Sequence, residues 1–310
     1  MHGLAVWLTT SRTRALIGAV ALAFLSLLLP FGTWLSGALI VLLALSDSKP
    51  LQDWLAALVA AITLGWWLSM AGAGPVPVVL LALALVVPAG LLGRLLARGG
   101  SLNLAFQLAT VAALIFLGIV HAVLSDPPGV WRPFLERLAS ELDQVASVMS
   151  TVGSGRSPRD ANLIQASAER MWGVVTWLLL LNTMVALFVG LYWSGIKTGT
   201  TRLGPAFRAL TAGKTVSALG VLVAGCALIF RWQVAADAAW VFLGAFVLQG
   251  LAVLHAARAG MKWSGAWLGV TYVLLFLPFT TLLVQGVLAV VGLADNWLAI
   301  RTRFVAPTPS

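Results

Sequence analysis

Apolar runs long enough to cross a bilayer alternate with short polar segments along almost the whole chain. They occupy residues 15–29, 34–45, 51–70, 76–92, 104–124, 171–193, 216–230, 238–255 and 266–291. A helix of roughly 20 mostly apolar residues matches a hydrocarbon core about 30 Å thick. The pattern predicts an all-α integral membrane protein, a bundle of about eight or nine transmembrane helices in one polytopic domain over 1–310. The first two runs are short and share Pro30, so they form a tight hairpin or one broken segment. The last run, about 26 residues, would measure roughly 39 Å as a helix. Pro278 near its middle removes a backbone donor and predicts a kink there.

The polar stretch 125–170 carries a different period. Trp131, Phe134, Leu135, Leu138, Leu142, Val145 and Met149 recur at three- and four-residue steps, the stripe of one amphipathic helix. Glu136, Arg137, Glu141, Asp143 and Gln144 fall on the other side. Pro127 and Pro128 precede this helix, and Gly153 and Gly155 end it. Ser157 then caps a second helix with Pro158 at its first position, running through Leu163 into the next apolar run. The stretch is expected to be an external helical arm that lies on the lipid surface, folds over the bundle as a lid, or serves as a plain packing helix.

Composition supports this picture, with 60% hydrophobic and 9% charged residues. A net charge of +9 and a pI near 11.0 would suit a nucleic-acid binder. The basic residues, however, sit in short segments between apolar runs, not along one folded surface. With the N-terminus in the cytoplasm, Arg12, Arg14, Lys49, Arg94, Arg98, Lys197, Arg202, Arg208, Lys214, Arg258 and Lys262 all face inward. Arg231 is then the one basic residue of the short outer loops. That bias predicts a multi-pass protein of the bacterial inner membrane, N-terminus cytoplasmic, its basic side against anionic lipid. Nine crossings would leave Arg301 and Arg303 outside; a re-entrant turn at Pro30 or Pro278 would bring the tail back. Arg12 and Arg14 ahead of an apolar run imitate a signal peptide, but no small-residue cleavage site follows, so the run reads as a retained span.

Candidate chemistry is sparse. The centres of the runs hold no Asp, Glu, Lys or Arg, which argues against a proton pump built on buried carboxylates. The lone Cys226 lies inside an apolar run, leaving no disulfide or cysteine-based metal site. His2, His121 and His255 share no metal-ligand spacing, and His121 and His255 are expected at opposite interfaces. No serine–histidine–acid set, zinc-protease helix or phosphate loop is legible; Gly213-Lys214-Thr215 lacks the upstream spacing of one. No catalytic residue, metal or cofactor is therefore expected. Uncharged polar residues within the runs are the better clues: Asn182, Gln249, Tyr272 and Gln285 are the candidates for lining a ligand cavity. Ala15, Ala19 and Ala23 form a small-residue ladder suited to close helix contact.

The order of parts resembles the YybS-like family of bacterial membrane proteins, whose members resemble the substrate-binding S components of energy-coupling-factor transporters. The resemblance is carried by the broken first pair of runs and the helical arm before the middle run. It is carried also by Leu248-Gln249-Gly250-Leu251-Ala252-Val253-Leu254-His255 and by Gly292-Leu293-Ala294-Asp295-Asn296-Trp297 followed by Arg301. It implies a non-enzymatic bundle that captures a small, vitamin-like solute from outside. It further implies docking on a transmembrane coupling subunit driven by ATPases, with Ala15, Ala19 and Ala23 as the docking ladder. The alternative is a membrane scaffold recruiting envelope or cytoplasmic partners through the arm and the basic segment 197–214.

Overall fold

A computed structural model describes residues 11–25, 32–45, 75–149, 161–200, 203–261 and 263–304, with a few positions between 58 and 66. Among the described residues every regular element is helical. The α-helices are α1 (Arg12–Leu25), α2 (Gly32–Leu45), α3 (Pro75–Ala97), α4 (Leu102–Val123), α5 (Arg132–Met149), α6 (Ala161–Thr198), α7 (Leu203–Arg208), α8 (Gly213–Phe230), α9 (Gln233–Met261), α10 (Ala266–Phe276) and α11 (Pro278–Leu298). Short 3-10 turns cover Pro128–Val130 and Ile300–Phe304. Six helices, α3, α4, α6, α8, α9 and α11, are long and apolar enough to cross a membrane; α1, α2 and α10 are shorter apolar helices. The expected run at 51–70 lies almost wholly outside the described residues, as do Pro30, Lys49, Ser157 and Pro158.

Two inner helices organise the bundle. α2 is buried without interruption from Ser36 to Ala44, as befits a helix apolar on all sides. α1 packs on it through Ala15, Ala19 and Ala23, which are buried in one cluster with Leu39, Ile40, Leu42 and Leu43. The Ser36 hydroxyl donates to the Ala19 carbonyl at 2.8 Å across this contact. The small-residue ladder thus makes its close helix contact with α2. α9 is the second inner helix, buried along most of its length. It crosses α11 where both helices carry glycine, because a Cβ on Gly250 would meet the Leu288 carbonyl and one on Gly292 the Phe246 carbonyl.

The last apolar run breaks rather than kinks. Leu277 is extended (φ −80°, ψ 122°), and Pro278 opens a new helix. Proline lacks an N–H and its ring crowds the carbonyl of Leu274, so the α-helix cannot continue through it. The Thr280 and Thr281 hydroxyls instead donate to the freed carbonyls of Leu274 and Leu275 at 2.7 and 3.0 Å. The break redirects the chain. Arg301 Nη1 donates to the Arg208 carbonyl at 2.8 Å, and Phe304 lies against Gly260 at the end of α9. The tail therefore sits at the same end of the bundle as the basic connections 199–213 and 258–265.

At the opposite end, α5 and the first turns of α6 form an antiparallel hairpin. Arg132 Nε donates to Gln165 Oε1 at 2.8 Å, and Glu136 faces Ala161 and Ile164 across a shared crevice. α6 has 38 residues, roughly 57 Å at helical rise, about 27 Å more than a hydrocarbon core. The helix expected to run into the next span does so without interruption from Ala161. Ala139 is buried on α5. Phe134, Leu138 and Leu142 stay 49%, 41% and 50% exposed.

Candidate functional site

The basic end of the bundle is built on a polar network that the two quoted strings meet to form. Gln249, fully buried on α9, reaches both α11 and the connection before α8. Its Oε1 accepts from the Ala212 N–H at 2.9 Å and from Asn296 Nδ2 at 3.2 Å, and its Nε2 donates to Asp295 Oδ2 at 3.3 Å. Arg301 closes on the same carboxylate through Nη2 at 2.6 Å and Nε at 2.8 Å. Asn296 Oδ1 accepts from the Thr211 hydroxyl at 2.9 Å and the Gly213 N–H at 3.2 Å. Gly213 has φ +83°, a conformation that favours glycine and turns the chain into α8. Asn103 Oδ1 takes the Thr211 N–H at 3.1 Å and so ties in α4. This network is a clamp: a buried charge pair with its hydrogen bonds satisfied.

Beside the clamp lies an open cleft of about 780 Å³ between α6, α7, α9 and α10. Phe188, Leu191 and Tyr192 from α6 and Phe207 from α7 form its apolar wall, while Thr200, Arg208, His255 and Tyr272 supply polar groups. The His255 Nε2 atom and the Tyr272 hydroxyl are 3.0 Å apart. Phe207 stands edge-on to both Phe188 and His255, with centroids 5.1 Å away in each case. The aromatic stack fixes one face of the histidine, and the clamp fixes the backbone of Arg208 through its carbonyl. The residues lining this cleft include no carboxylate. Its volume falls in the range of small-molecule sites, and its chemistry suits an anion with an apolar body.

A buried aspartate with a histidine partner occupies the arm end. Asp237, 1% exposed, accepts from Gly173 N–H at 3.2 Å and lies 2.9 Å from His121 Nε2. Gln233 Nε2 approaches the same carboxylate at 3.4 Å and also donates to the Glu169 carbonyl. Trp172 Nε1 donates to the Pro127 carbonyl at 2.9 Å, and Trp131 packs edge-on against its ring at 5.2 Å. His121 is thus a half-buried partner of an acid. These contacts seat the base of the arm on α4, α6 and α9.

The structure separates the four polar residues that the sequence singles out. Tyr272 lines the cleft and Gln249 holds the clamp behind it. Asn182 is buried on α6, where its Nδ2 donates to the Leu85 carbonyl at 3.2 Å and joins α6 to α3. Gln285 is buried on α11, one turn before Leu288 in the contact with α9. Arg208 and His255 were legible only as a loop cation and an interfacial histidine, because four separate elements bring the cleft together. Asp237 escaped notice because it directly precedes an apolar run, whereas the helix itself begins at Gln233. Among the described residues no group of histidine, cysteine and acidic side chains could hold a metal ion.

No family model, curated protein or solved structure matches the chain. These comparisons lend no support to the resemblance to the YybS-like family.

Proposed function

We propose that this chain is a multi-pass membrane protein that binds a small solute in the cleft at the basic end of its bundle, without catalysing its conversion. The observation that carries this reading is the cleft itself. An exposed arginine, a histidine and a tyrosine hydroxyl converge on an aromatic wall, with a rigid clamp behind them. Among the described residues six helices are long enough to cross a membrane, fewer than the eight or nine expected from the sequence; α1 and α2 are shorter, and α10 and α11 together make up one expected run. The positive-inside bias puts the basic end, the cleft and the tail in the cytoplasm of a bacterial inner membrane, and the arm outside.

This arrangement bears on the transport reading. An S component would receive its solute from outside and dock through the first helix, whereas here the cleft opens at the basic end and the alanine ladder is covered. A solute-binding or transport component that works from the cytoplasmic side fits better than one that captures from outside. A coupling subunit with ATPases would have to engage another surface. The scaffold reading draws on one specific observation, the exposed Phe134, Leu138 and Leu142 of the arm.

Native mass spectrometry of the protein extracted from its own membranes in mild detergent tests the proposal. A bound molecule is expected on the wild type and absent from Arg208→Gln combined with His255→Ala. A wild-type protein free of small molecules but joined by envelope proteins, lost when residues 130–150 are deleted, would favour the scaffold instead.

A further inference from the structure

The cleft is polarised along its length. Its inner wall, Phe188, Leu191 and Tyr192, belongs to the apolar stretch of α6 that is able to cross a membrane, and His255 lies in the corresponding stretch of α9. Its outer rim, Thr200, Gly204 and Arg208, belongs to the connection beyond the end of α6. Tyr192 and Tyr272, on the two helices that border the cleft, are 57% and 37% exposed. Polar and charged groups thus gather where a bilayer would meet water, and apolar wall extends inward at chain depth. We infer that the cleft holds a phosphate-headed lipid, its head against Arg208, His255 and Tyr272 and its chain along Phe188, Leu191 and Tyr192, admitted sideways between α6 and α10. This inference rests on the reading of the cleft as a binding site and specifies its occupant.

Two mismatches separate this occupant from its rivals. A free phosphate would satisfy Arg208 but leave the aromatic and aliphatic wall without a partner. A zwitterionic lipid of the same chain length would cover the wall, but its own ammonium would compete with the arginine for the phosphate. Arg208 makes no ion pair among the described residues, and its guanidinium is exposed at the cleft rim. The His255 Nε2 atom and the Tyr272 hydroxyl, 3.0 Å apart, line the same cleft. A phosphate monoester accepts several charge-assisted hydrogen bonds at once and meets all of these groups.

The test is a titration of the full-length protein in detergent, read by native mass spectrometry, with dioleoyl phosphatidate, dioleoyl phosphatidylcholine and inorganic phosphate. Phosphatidate is expected to bind at least tenfold more tightly than phosphatidylcholine. Arg208→Gln should weaken it by about tenfold, the scale of one charge-assisted hydrogen bond. Lys214→Gln, an exposed charge at the same end but outside the cleft, should leave binding unchanged, and Leu191→Ser should weaken both lipids. Inorganic phosphate should displace phosphatidate no better than chloride at equal ionic strength. Equal binding of the two lipids, or indifference to Arg208→Gln, would overturn the lipid assignment. If inorganic phosphate or another soluble anion binds in an Arg208-dependent way while lipid does not, the lipid inference falls and the solute-binding reading stands. If nothing binds at the cleft, both fall.

Discussion

Asp295 shows how much one carboxylate holds at this end of the molecule. It is nearly buried, and Arg301 and Gln249 both point their donors at it. Removing one partner of such a pair leaves the other charge buried and unmatched, at a cost of about 3–5 kcal/mol. Asp295→Ala should therefore lower the thermal unfolding midpoint in detergent sharply, and Asp295→Leu combined with Arg301→Met should recover much of the loss. A single variant as stable as the wild type would mean that the clamp carries no weight. The members of the clamp were legible as a polar residue in an apolar run and a polar string ending another. Their meeting was not, because 46 residues separate Gln249 from Asp295 and no local spacing connects them. The cleft was harder still to foresee: Tyr272 stood out as a polar residue in an apolar run, but Arg208 looked like any other loop cation.

At the scale of elements, the apolar period specified helices well and their connections less well. The run at 171–193 continues the helix expected to lead into it: from Ala161 onward both belong to α6. The run at 266–291 proved to be two, since Pro278 allows no continuation. Close helix contacts yield two predictions. Gly250→Val would drive a side chain into the Leu288 carbonyl and part α9 from α11. Ala19→Leu would wedge α1 off α2, with a loss of about 1–3 kcal/mol for overpacking, or more where no neighbour can yield. Both should reduce the yield of monodisperse protein on size-exclusion chromatography, whereas Leu138→Ser on the exposed side of the arm should not. If Ala19→Leu behaves like the wild type, α1 does not pack on α2 as described.

At the scale of the whole molecule, the fold explains why charge is distributed as it is. The connections 99–101, 199–213 and 258–265 and the tail gather at one end, and the arm rises from the other. The sequence left the tail stranded unless the region of Pro30 or Pro278 turned back; the chain breaks at Pro278, and Arg301 meets the Arg208 carbonyl at the basic end. What the sequence could not supply was the sharing of that end by the clamp and the cleft, a property of contacts between distant segments. The sidedness follows: the cleft and the arm should lie across the membrane from each other. Single cysteines placed at Thr200, Trp297 and Glu141 in a Cys226→Ala background, labelled in intact cells with a membrane-impermeant maleimide, test this directly. The account predicts that the position in the arm labels and that Thr200 and Trp297 label only after the membrane is permeabilised. Labelling of all three from the same side, or of Thr200 and Trp297 from opposite sides, would contradict it.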